Sequence, residues 1–395
     1  MDGVERVIGC FGGGQLGRML AVACAPLGAR VRFLDPKAGA VAMSVGEGVV
    51  GGFEDRGAVG GLVEGVSAVT FEFESVPAGA LEMAGELVGD AGLLRPGVAS
   101  LRAAQDRVRE KRLFEELGIP TAGWREVRGA GDLCDAGVAL GYPLVVKMAR
   151  GGYDGKGQWR MGGADEAGEV WAGIEAAVAG GEAGVAPAIA ESLVGFEREV
   201  SVAVTRGVDG SMVALPAAEN VHEGGILRRS VAPAPGLSVS GVSAARGMAE
   251  RLASSLGHVG TLCVEFFDCG AGGLLANEFA PRVHNSAHWS IEGCVVSQFE
   301  RHGRAVLGLP LGFEGFSPGV VCAGMVNLIG SLPEAGLLAE VNSRMPGGVM
   351  ARAHVYGKRG KPGRKVGHVT VAGGEAGAVL AGLGVVEGLV SASSG

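Results

Sequence analysis

The chain has 395 residues, of which 47% are hydrophobic and 19% are charged, and its formal net charge is −8. This composition predicts a folded globular protein of two or three domains and excludes a disordered chain. The acidic balance argues against a general nucleic-acid binder, whose binding surface is basic, so any anion site must be local.

The cysteines and the N-terminal residues indicate the compartment. Seven cysteines are scattered without a CxxC pair, which predicts reduced thiols rather than a disulfide framework or a structural zinc site. The first residues, MDGVERVIG, are acidic and unlike a signal peptide, and no apolar run reaches membrane-spanning length. We therefore expect a soluble, cytoplasmic protein with no membrane partner.

The N-terminal residues follow a strand–turn–helix–strand pattern. A strand over 4–10 leads into a turn with Gly12, Gly14 and Gly17, and a second strand ends at Asp35. A G-x-G-x-x-G turn with an acidic residue about twenty positions later is typical of dinucleotide binding. An NAD(P)-dependent oxidoreductase is therefore one alternative, although the same turn serves any helix N-terminus that faces an anion.

An acidic pair and a helix precede the first predicted domain boundary. A strand over 68–73 contains Glu72 and leads to Glu74, and this spacing places both carboxylates on one side of the pleat. The carboxyl ends of such strands bind ligands in open α/β sheets, but a solvated strand end is equally consistent. A helix over 105–117 carries apolar residues toward the core and basic residues elsewhere, and Gly118 ends it.

A glycine-dense segment follows a short apolar strand. The strand over 144–146 ends at Lys147, and residues 151–158 read GGYDGKGQ. Glycines let the backbone approach a ligand and turn its N–H groups toward an anion. A lysine before such a loop predicts a polyphosphate site under a lid that excludes water. The alternative is a loop that is rich in glycine only because the chain has 73 of them.

A predicted strand over 186–189 runs into a link that begins at Glu191. Such a link could offer backbone groups and a carboxylate to a nucleobase and a ribose. The next strand begins at Glu199 and opens the third predicted domain. The predicted domains are residues 1–118, 119–192 and 193–395.

A hairpin in the third domain carries a second acidic pair. Strands over 261–269 and 274–282 flank four turn residues, so residues whose numbers sum to 543 face each other. Glu265 then lies opposite Glu278, with Cβ atoms about 5 Å apart. Two like charges so placed need a positive charge between them, which predicts a divalent cation with oxygen ligands. The alternative is two glutamates on a solvated strand face.

The residues after this hairpin suit a small anion. Arg282, His284 and Asn285 combine a cation with hydrogen-bond donors, which favours a carboxylate or bicarbonate. His284 and His288 lack a third ligand at zinc spacing, so no zinc site is predicted. A basic cluster over 358–365 is either a solvated loop or a site for the phosphate of a second substrate.

With these motifs the chain resembles the ATP-grasp enzymes. It is more closely similar to the N5-carboxyaminoimidazole ribonucleotide synthetases of purine biosynthesis, which carboxylate aminoimidazole ribonucleotide (AIR) with ATP and bicarbonate. The resemblance spans nearly the whole chain, and its most specific motifs are GGYDGKGQ and NEFAPRVHNSAHWS. It implies an α/β ATP-grasp fold with a Rossmann-like N-terminal domain, a small lid domain and a larger C-terminal α+β domain. It also implies a homodimer.

The resemblance implies roles for individual residues. ATP contacts would fall on Arg107, Lys147, Gly152, Tyr153, Asp154, Gly155, Lys156, Gly157, Gln158, Glu191, Ser192, Leu193, Val194, Glu199, His222, Asn277 and Glu278. Mg²⁺ would be held by Glu265 and Glu278. Bicarbonate would meet Arg282, His284 and Asn285. AIR would meet Glu74, Tyr153, Asp154, Lys358 and Arg364. The catalytic set would be Lys147, Asp154, Arg282, His284 and Asn285.

The implied reaction has two steps and uses neither NAD, zinc nor biotin. Bicarbonate attacks the γ-phosphate of ATP, and the amine of AIR then captures the carboxyphosphate or the CO₂ released from it. Asp154 would take a proton from that amine or orient it. Another ATP-grasp ligase with a different acceptor would share the ATP residues, whereas a non-catalytic ATP-binding module would not need the Glu265/Glu278 pair.

Overall fold

The computed structural model describes residues 6–152, 157–177, 187–333 and 341–392. Within these residues the strands form three sheets, and helices accompany each of them, which confirms the expected mixture of α and β structure. None of the described helices is both long and apolar enough to cross a membrane.

The first sheet is parallel, with the strand order β3-β2-β1-β4. Its strands are β1 (Arg6–Phe11), β2 (Ala29–Asp35), β3 (Glu47–Val50) and β4 (Ala68–Phe71). The helices of this part are α1 (Gln15–Cys24), α2 (Arg56–Val63), α3 (Ala78–Val88), α4 (Val98–Ala104) and α5 (Arg107–Glu116). A parallel sheet follows from the alternation of strands and helices along the sequence, because parallel neighbours need a crossover connection.

The second sheet is antiparallel and has the order β5-β8-β6-β7. Its strands are β5 (Trp124–Val127), β6 (Leu144–Met148), β7 (Gln158–Met161) and β8 (Ala188–Ser192). The helices α6 (Ala130–Leu140) and α7 (Ala167–Ala177) contribute apolar side chains to the same core.

The third sheet is antiparallel and the largest, with the order β14-β13-β9-β11-β12-β15-β17-β16 and with β10 paired to β9. Its strands are β9 (Arg198–Arg206), β10 (Met212–Ala214), β11 (Ala218–Glu223), β12 (Ile226–Ala232), β13 (Gly260–Asp268), β14 (Leu274–Ala280), β15 (Cys322–Gly330), β16 (Val349–Val355) and β17 (Lys361–Gly373). The accompanying helices are α8 (Val239–Ser255), α9 (Ser290–Gly293), α10 (Gln298–Val306) and α11 (Ala376–Ala392).

The helix predicted over 105–117 begins later than expected. α4 ends at Ala104, and α5 begins at Arg107 because the Asp106 carboxylate accepts hydrogen bonds from the first backbone N–H groups of α5. The apolar face of α5 packs on the third sheet, where the ring of Phe114 lies 6.1 Å from that of Phe279. This helix therefore connects the first part of the chain to the largest sheet.

A buried histidine of α10 also joins the first and third sheets. His302 Nδ1 accepts a hydrogen bond from the backbone N–H of Thr261 on β13, which leaves Nε2 to donate to the hydroxyl of Thr70 on β4, each at 3.0 Å. Burial lowers the pKa of His302 to about 4. Because this value lies below that of an unfolded histidine, His302 stabilises the fold above pH ~6.5 and loses that contribution as the pH falls toward 4.

Replacing His302 should therefore change both stability and its dependence on pH. We expect His302→Ala to lower the free energy of unfolding by about 2–4 kcal/mol at pH 8, because it opens a cavity and strands buried polar groups. Between pH 8 and pH 5, the free energy of unfolding should therefore fall by about 2 kcal/mol more in the wild type than in the variant, because the variant lacks this titrating group. Urea-unfolding midpoints at both pH values measure the difference.

The control for this experiment is Thr70→Val. It removes one partner of His302 but retains the titrating imidazole, so the loss of stability on acidification should persist. An equal acid-induced loss in the wild type and in His302→Ala would contradict the assignment.

Candidate active site

The hairpin of β13 and β14 places two glutamates opposite each other. Glu265 pairs directly with Glu278, as predicted. The predicted four-residue turn is wrong, however. β13 ends at Asp268, and Cys269 lies in the turn, where its N–H donates to the carbonyl of Gly273.

The turn is one residue longer than predicted, which shifts the strand pairing next to it by one residue. A β-bulge restores the predicted pairing at Glu265. Phe266 pairs with Ala276, whereas Glu265 pairs with Glu278, so Asn277 is the extra residue on β14. A bulged residue is left out of the strand ladder and re-aims its side chain and carbonyl. The predicted pairing is therefore confirmed, but it depends on a bulge that the sequence does not reveal.

The two glutamates of this pair have different electrostatic surroundings. Burial alone would raise the pKa of Glu278, but Arg107, whose Nη1 lies 2.8 Å from Glu278 Oε2, and Lys147 lower it to about 2. Burial and the nearby Glu278 raise the pKa of Glu265 to about 7. Among the described residues, no donor forms a hydrogen bond to the buried Oε1 of Glu265. A carboxylate oxygen without a donor is placed to accept a cation.

The pair fits a cation that a ligand helps to hold. Within the described ranges, no group of three or more His, Cys, Asp or Glu side chains is arranged to bind a metal. Glu265 and Glu278 supply two oxygen-donor side chains, and the unpartnered Oε1 of Glu265 is one of them. A hard divalent cation commonly takes one or two carboxylates and completes its shell with phosphate oxygens.

Beside this pair, Lys147 belongs to a buried cluster of charges. Its Nζ lies 2.6 Å from Glu191 Oε2 and donates to Asn277 Oδ1 at 3.1 Å. The sequence placed Glu191 in a link after a strand, which is wrong, because Glu191 lies within β8 and only 3% of it is exposed. Burial would raise the pKa of Glu191, but Lys147 and Lys111 lower it to about 2.

Lys111 is the member of this cluster that the sequence analysis missed. The analysis placed the basic residues of its helix away from the core, yet Lys111 is only 1% exposed and its Nζ lies 2.6 Å from Glu191 Oε1. Its signal was the spacing of four residues from Arg107, which puts both cations on one face of α5.

Arg282 follows β14 and forms an ion pair with Glu74 from the first part of the chain. Burial would raise the pKa of Glu74, but the Arg282 guanidinium lowers it. The structure thus brings together one residue predicted for bicarbonate and one predicted for AIR.

His284 is held as a neutral imidazole. Burial lowers its pKa to about 3, and the positive charges of Arg282 and Lys365 act in the same direction. The Nδ1 atom accepts a hydrogen bond from the backbone N–H of Ser286 and lies 2.8 Å from the Ser286 hydroxyl, so the proton belongs on Nε2. Gln298 fixes the backbone of His284 from both sides, since its amide donates to the carbonyl and accepts from the N–H.

Asn285 is oriented by an asparagine that the sequence analysis did not single out. The side chains of Asn285 and Asn327 exchange two hydrogen bonds, of 3.1 and 2.6 Å. Asn327 lies on β15, is 1% exposed, and also donates to the carbonyl of Leu227. One amide edge of Asn285 is therefore occupied, and the rest of its hydrogen-bonding capacity is left for a ligand.

The acidic pair after β4 does not lie on one pleat as predicted, because β4 ends at Phe71. The carboxylate of Glu72 accepts hydrogen bonds from the backbone N–H groups of Gly14, Leu16 and Gly17, at 2.7 to 3.1 Å. It thus occupies the N-terminus of α1, where the dinucleotide alternative would place a pyrophosphate. Glu74 instead turns to Arg282.

The acidic residue of the dinucleotide pattern also has an internal role. Asp35 accepts a hydrogen bond from the backbone N–H of Gly13 at 2.9 Å. Next to this turn, Lys358 donates to the side-chain oxygen of Gln15. The glycine-rich turn therefore faces the C-terminal basic loop.

Arg364 and Lys365 of the basic cluster have different surroundings. Arg364 is exposed and donates to the carbonyl of Arg359 at 3.4 Å. The positive charge of Lys365 acts on Glu265 and His284, which places this lysine near the end of β14, and the sequence analysis assigned it no role of its own.

The remaining predicted residues lie on or next to strands of the second and third sheets, or outside the described ranges. His222 Nδ1 lies 2.5 Å from Glu199 Oε2, and although burial would lower the pKa of His222, Glu199 and Glu265 raise it. Gly157 and Gln158 lie at the start of β7, and Ser192 ends β8. Gly152, Leu193 and Val194 lie in loops next to these strands. The predicted residues outside the described ranges are Tyr153, Asp154, Gly155 and Lys156.

Comparison with protein families divides the chain into three matches. Residues 6–105 match the ribonucleotide synthetase preATP-grasp domain, and residues 112–299 match the ATP-grasp domain. Residues 323–381 match the phosphoribosylaminoimidazole carboxylase C-terminal domain.

Characterised relatives match over nearly the full chain. The N5-carboxyaminoimidazole ribonucleotide synthase of Brucella melitensis is 44% identical over 367 residues, which cover 92% of this chain and 95% of the relative. That of Pseudomonas aeruginosa is 42% identical over 385 residues, which cover 98% of this chain and 99% of the relative.

Solved structures agree with these matches. The synthetase from Thermus thermophilus has a TM-score of 0.85 at 45% identity, with 97% of this chain and 98% of that chain covered. The synthase from Aspergillus clavatus in complex with ADP and 5-aminoimidazole ribonucleotide has a TM-score of 0.86 at 30% identity, with 98% and 99% covered. The chain belongs to the N5-carboxyaminoimidazole ribonucleotide synthase family of ATP-grasp ligases.

Proposed function

We propose that this protein carboxylates the exocyclic amine of AIR with bicarbonate and ATP, in purine biosynthesis. The products are N5-carboxyaminoimidazole ribonucleotide, ADP and phosphate. The observation that carries this proposal is the position of two sets of residues on one strand and the turn after it. On β14, Asn277 contacts Lys147 and Glu278 contacts Arg107. Arg282, His284 and Asn285 follow within a few residues of this strand.

In the first step, one oxygen of bicarbonate attacks the γ-phosphorus of ATP. The bond from that phosphorus to the β,γ-bridging oxygen breaks, which gives ADP and carboxyphosphate. Lys147 and Arg107 supply positive charge for the phosphates and help to hold them in line with the nucleophile. Arg282, the Nε2–H of His284 and the free edge of Asn285 bind the bicarbonate oxygens.

In the second step, the amine of AIR attacks the carboxyl carbon of carboxyphosphate. The bond between that carbon and the bridging oxygen breaks, phosphate leaves, and the amine gives up a proton that Asp154 would accept. Lys358 and Arg364 would bind the phosphate of AIR. The backbone donors at the N-terminus of α1 are already occupied by Glu72, which leaves these cations as the candidates near that turn. Glu74 is held by Arg282 and would lie between the two substrates.

Glu265 and Glu278 would hold Mg²⁺, with the nucleotide phosphates completing its shell. A bound Mg²⁺ supplies neutralisation of the charge on the β- and γ-phosphates.

The assembly and the compartment are part of the same proposal. All seven cysteines are free thiols, five of them buried, which supports a reducing, cytoplasmic location. A homodimer is proposed from the resemblance to the family.

The proposal as a whole is tested by ADP release with ATP, Mg²⁺ and bicarbonate. We expect strong stimulation when AIR is added. ADP release that is indifferent to AIR would leave an ATP-grasp ligase with another acceptor.

Two substitutions separate the two steps. Glu278→Gln should reduce kcat by roughly 10²–10⁴-fold, because it removes a charge that positions Arg107 and the phosphates. Lys358→Ala should raise the KM for AIR by roughly 10- to 100-fold, because a charge-assisted hydrogen bond is worth about 1.5–3 kcal/mol. Its kcat should stay within a few-fold of the wild type. Equal damage to both parameters in both variants would contradict this division.

Asn327 provides a test of the bicarbonate position. Asn327→Leu removes both hydrogen bonds that orient Asn285, so we expect the KM for bicarbonate to rise roughly tenfold, the equivalent of about 1.4 kcal/mol. The KM for ATP should change much less. Steady-state kinetics with each substrate varied in turn measures the two effects.

A matched control is Asn342→Ala, which removes an asparagine that accepts from the backbone of Ala351 and leaves Asn285 untouched. It should change neither KM. A rise in the KM for ATP equal to that for bicarbonate in Asn327→Leu would place Asn285 elsewhere.

A further inference from the structure

Lys111 and Lys147 share the same two partners in a closed cluster. Lys147 contacts Glu191 Oε2 at 2.6 Å and Asn277 Oδ1 at 3.1 Å. Lys111 contacts the other carboxylate oxygen, Glu191 Oε1, at 2.6 Å and the backbone carbonyl of Asn277 at 2.9 Å. The bulge at Asn277 makes this possible, because a bulged residue has a carbonyl that the strand ladder does not fully engage.

The two lysines differ in their access to the cleft. The side chain of Lys111 is 1% exposed, whereas that of Lys147 is 14% exposed. A ligand can therefore reach Lys147 while Lys111 stays enclosed by α5, β8 and β14. Lys111 touches no ligand itself, but it fixes both groups that orient Lys147.

The charges of the cluster do not cancel. Glu191 carries one negative charge and stays ionised, because the two lysines hold its pKa at about 2 against the effect of burial. Two ammonium groups against one carboxylate leave one net positive charge among these three residues, and the neighbouring Glu278 is balanced by its ion pair with Arg107. Without Lys111, Glu191 would neutralise Lys147 completely, and a nucleotide phosphate would have to compete with a buried carboxylate for the same ammonium.

We propose that Lys111 is a positioning residue for nucleotide binding: it engages one oxygen of Glu191 so that Lys147 keeps a net positive charge directed at the phosphates. This inference rests on the proposed role of Lys147 as a phosphate ligand. It differs from a purely structural role, in which Lys111 would only tie α5 to the neighbouring strands.

The experiment is a double-mutant cycle read by ADP titration, with the full chain and Mg²⁺ but neither AIR nor bicarbonate. Lys111→Met keeps the length of the side chain and removes its charge, and it should weaken ADP binding at least tenfold. The same change made together with Glu191→Gln should weaken binding less than threefold relative to Glu191→Gln alone, because no carboxylate remains to neutralise Lys147. Equal losses with and without Glu191→Gln would overturn the proposal.

The control is Arg109→Met, on the exposed side of the same helix, where the arginine side chain is 57% exposed. It removes one positive charge without touching Glu191, so ADP binding should not change. If Lys111→Met alone fails to fold, the comparison of Glu191→Gln with the double variant still decides. Neither of these buries an unpaired carboxylate, and a loss of threefold or more between them would overturn the proposal.

The outcomes separate this inference from the proposed function. A wild type that binds ADP but does not respond to AIR would overturn the acceptor and leave the titration readable. A wild type that does not bind ADP would overturn both.

Discussion

The site depends on ion pairs between its carboxylates and cations. In this chain each such pair joins segments that are distant in sequence. Glu191 of β8 meets Lys111 of α5 and Lys147 of β6, Glu278 of β14 meets Arg107, and Glu74 meets Arg282. The Glu191–Lys111 pair is buried, and breaking one partner of a buried pair costs several kcal/mol because the other charge is left without compensation. The same contacts that hold the three sheets together therefore also place the positive charges of the cleft.

Glu265 differs from these paired carboxylates, and the difference points to a ligand. It is the carboxylate of the β13–β14 hairpin for which no donor among the described residues satisfies Oε1, and it faces the like charge of Glu278. Burial and the like charge of Glu278 together raise the pKa of Glu265 to about 7, and a cation between the two carboxylates would relieve both effects. A carboxylate oxygen without a donor, beside a second carboxylate, is suited to contact a cation.

Much of this arrangement could be predicted from local patterns in the sequence. Apolar alternation predicted the strands of the hairpin, and the pairing of Glu265 with Glu278 followed from the turn between them. The turn was nevertheless wrong by one residue, and the bulge at Asn277 compensated for it. Here the carbonyl of the bulged residue accepts a hydrogen bond from Lys111. The pattern of residues in a strand does not reveal such a tertiary contact. The division into domains at 118/119 and 192/193 stays a prediction.

The residues that were missed share one property, which is that their partners lie far away in the sequence. Lys111 looks like an exposed helical lysine until β8 brings Glu191 to it, and Asn327 looks like one polar residue in an apolar strand until it meets Asn285. Glu72 was noticed, but its role was not, because its partners are backbone groups at the start of α1. The spacing of residues in the sequence shows which side-chain types are present. Tertiary packing decides which of these side chains are paired within the protein and which can still bind a ligand.

The central claim is that ATP activates bicarbonate by phosphoryl transfer before the amine is carboxylated. The most direct measurement uses ¹⁸O-labelled bicarbonate in a single turnover with ATP, Mg²⁺ and AIR. The turnover is completed before the bicarbonate exchanges its label with water, and the released phosphate is analysed by mass. The attacking oxygen stays on phosphorus when the carbon–oxygen bond breaks, so we expect one ¹⁸O in each phosphate. Phosphate without label would show that bicarbonate never attacks the γ-phosphorus, and the account would be wrong.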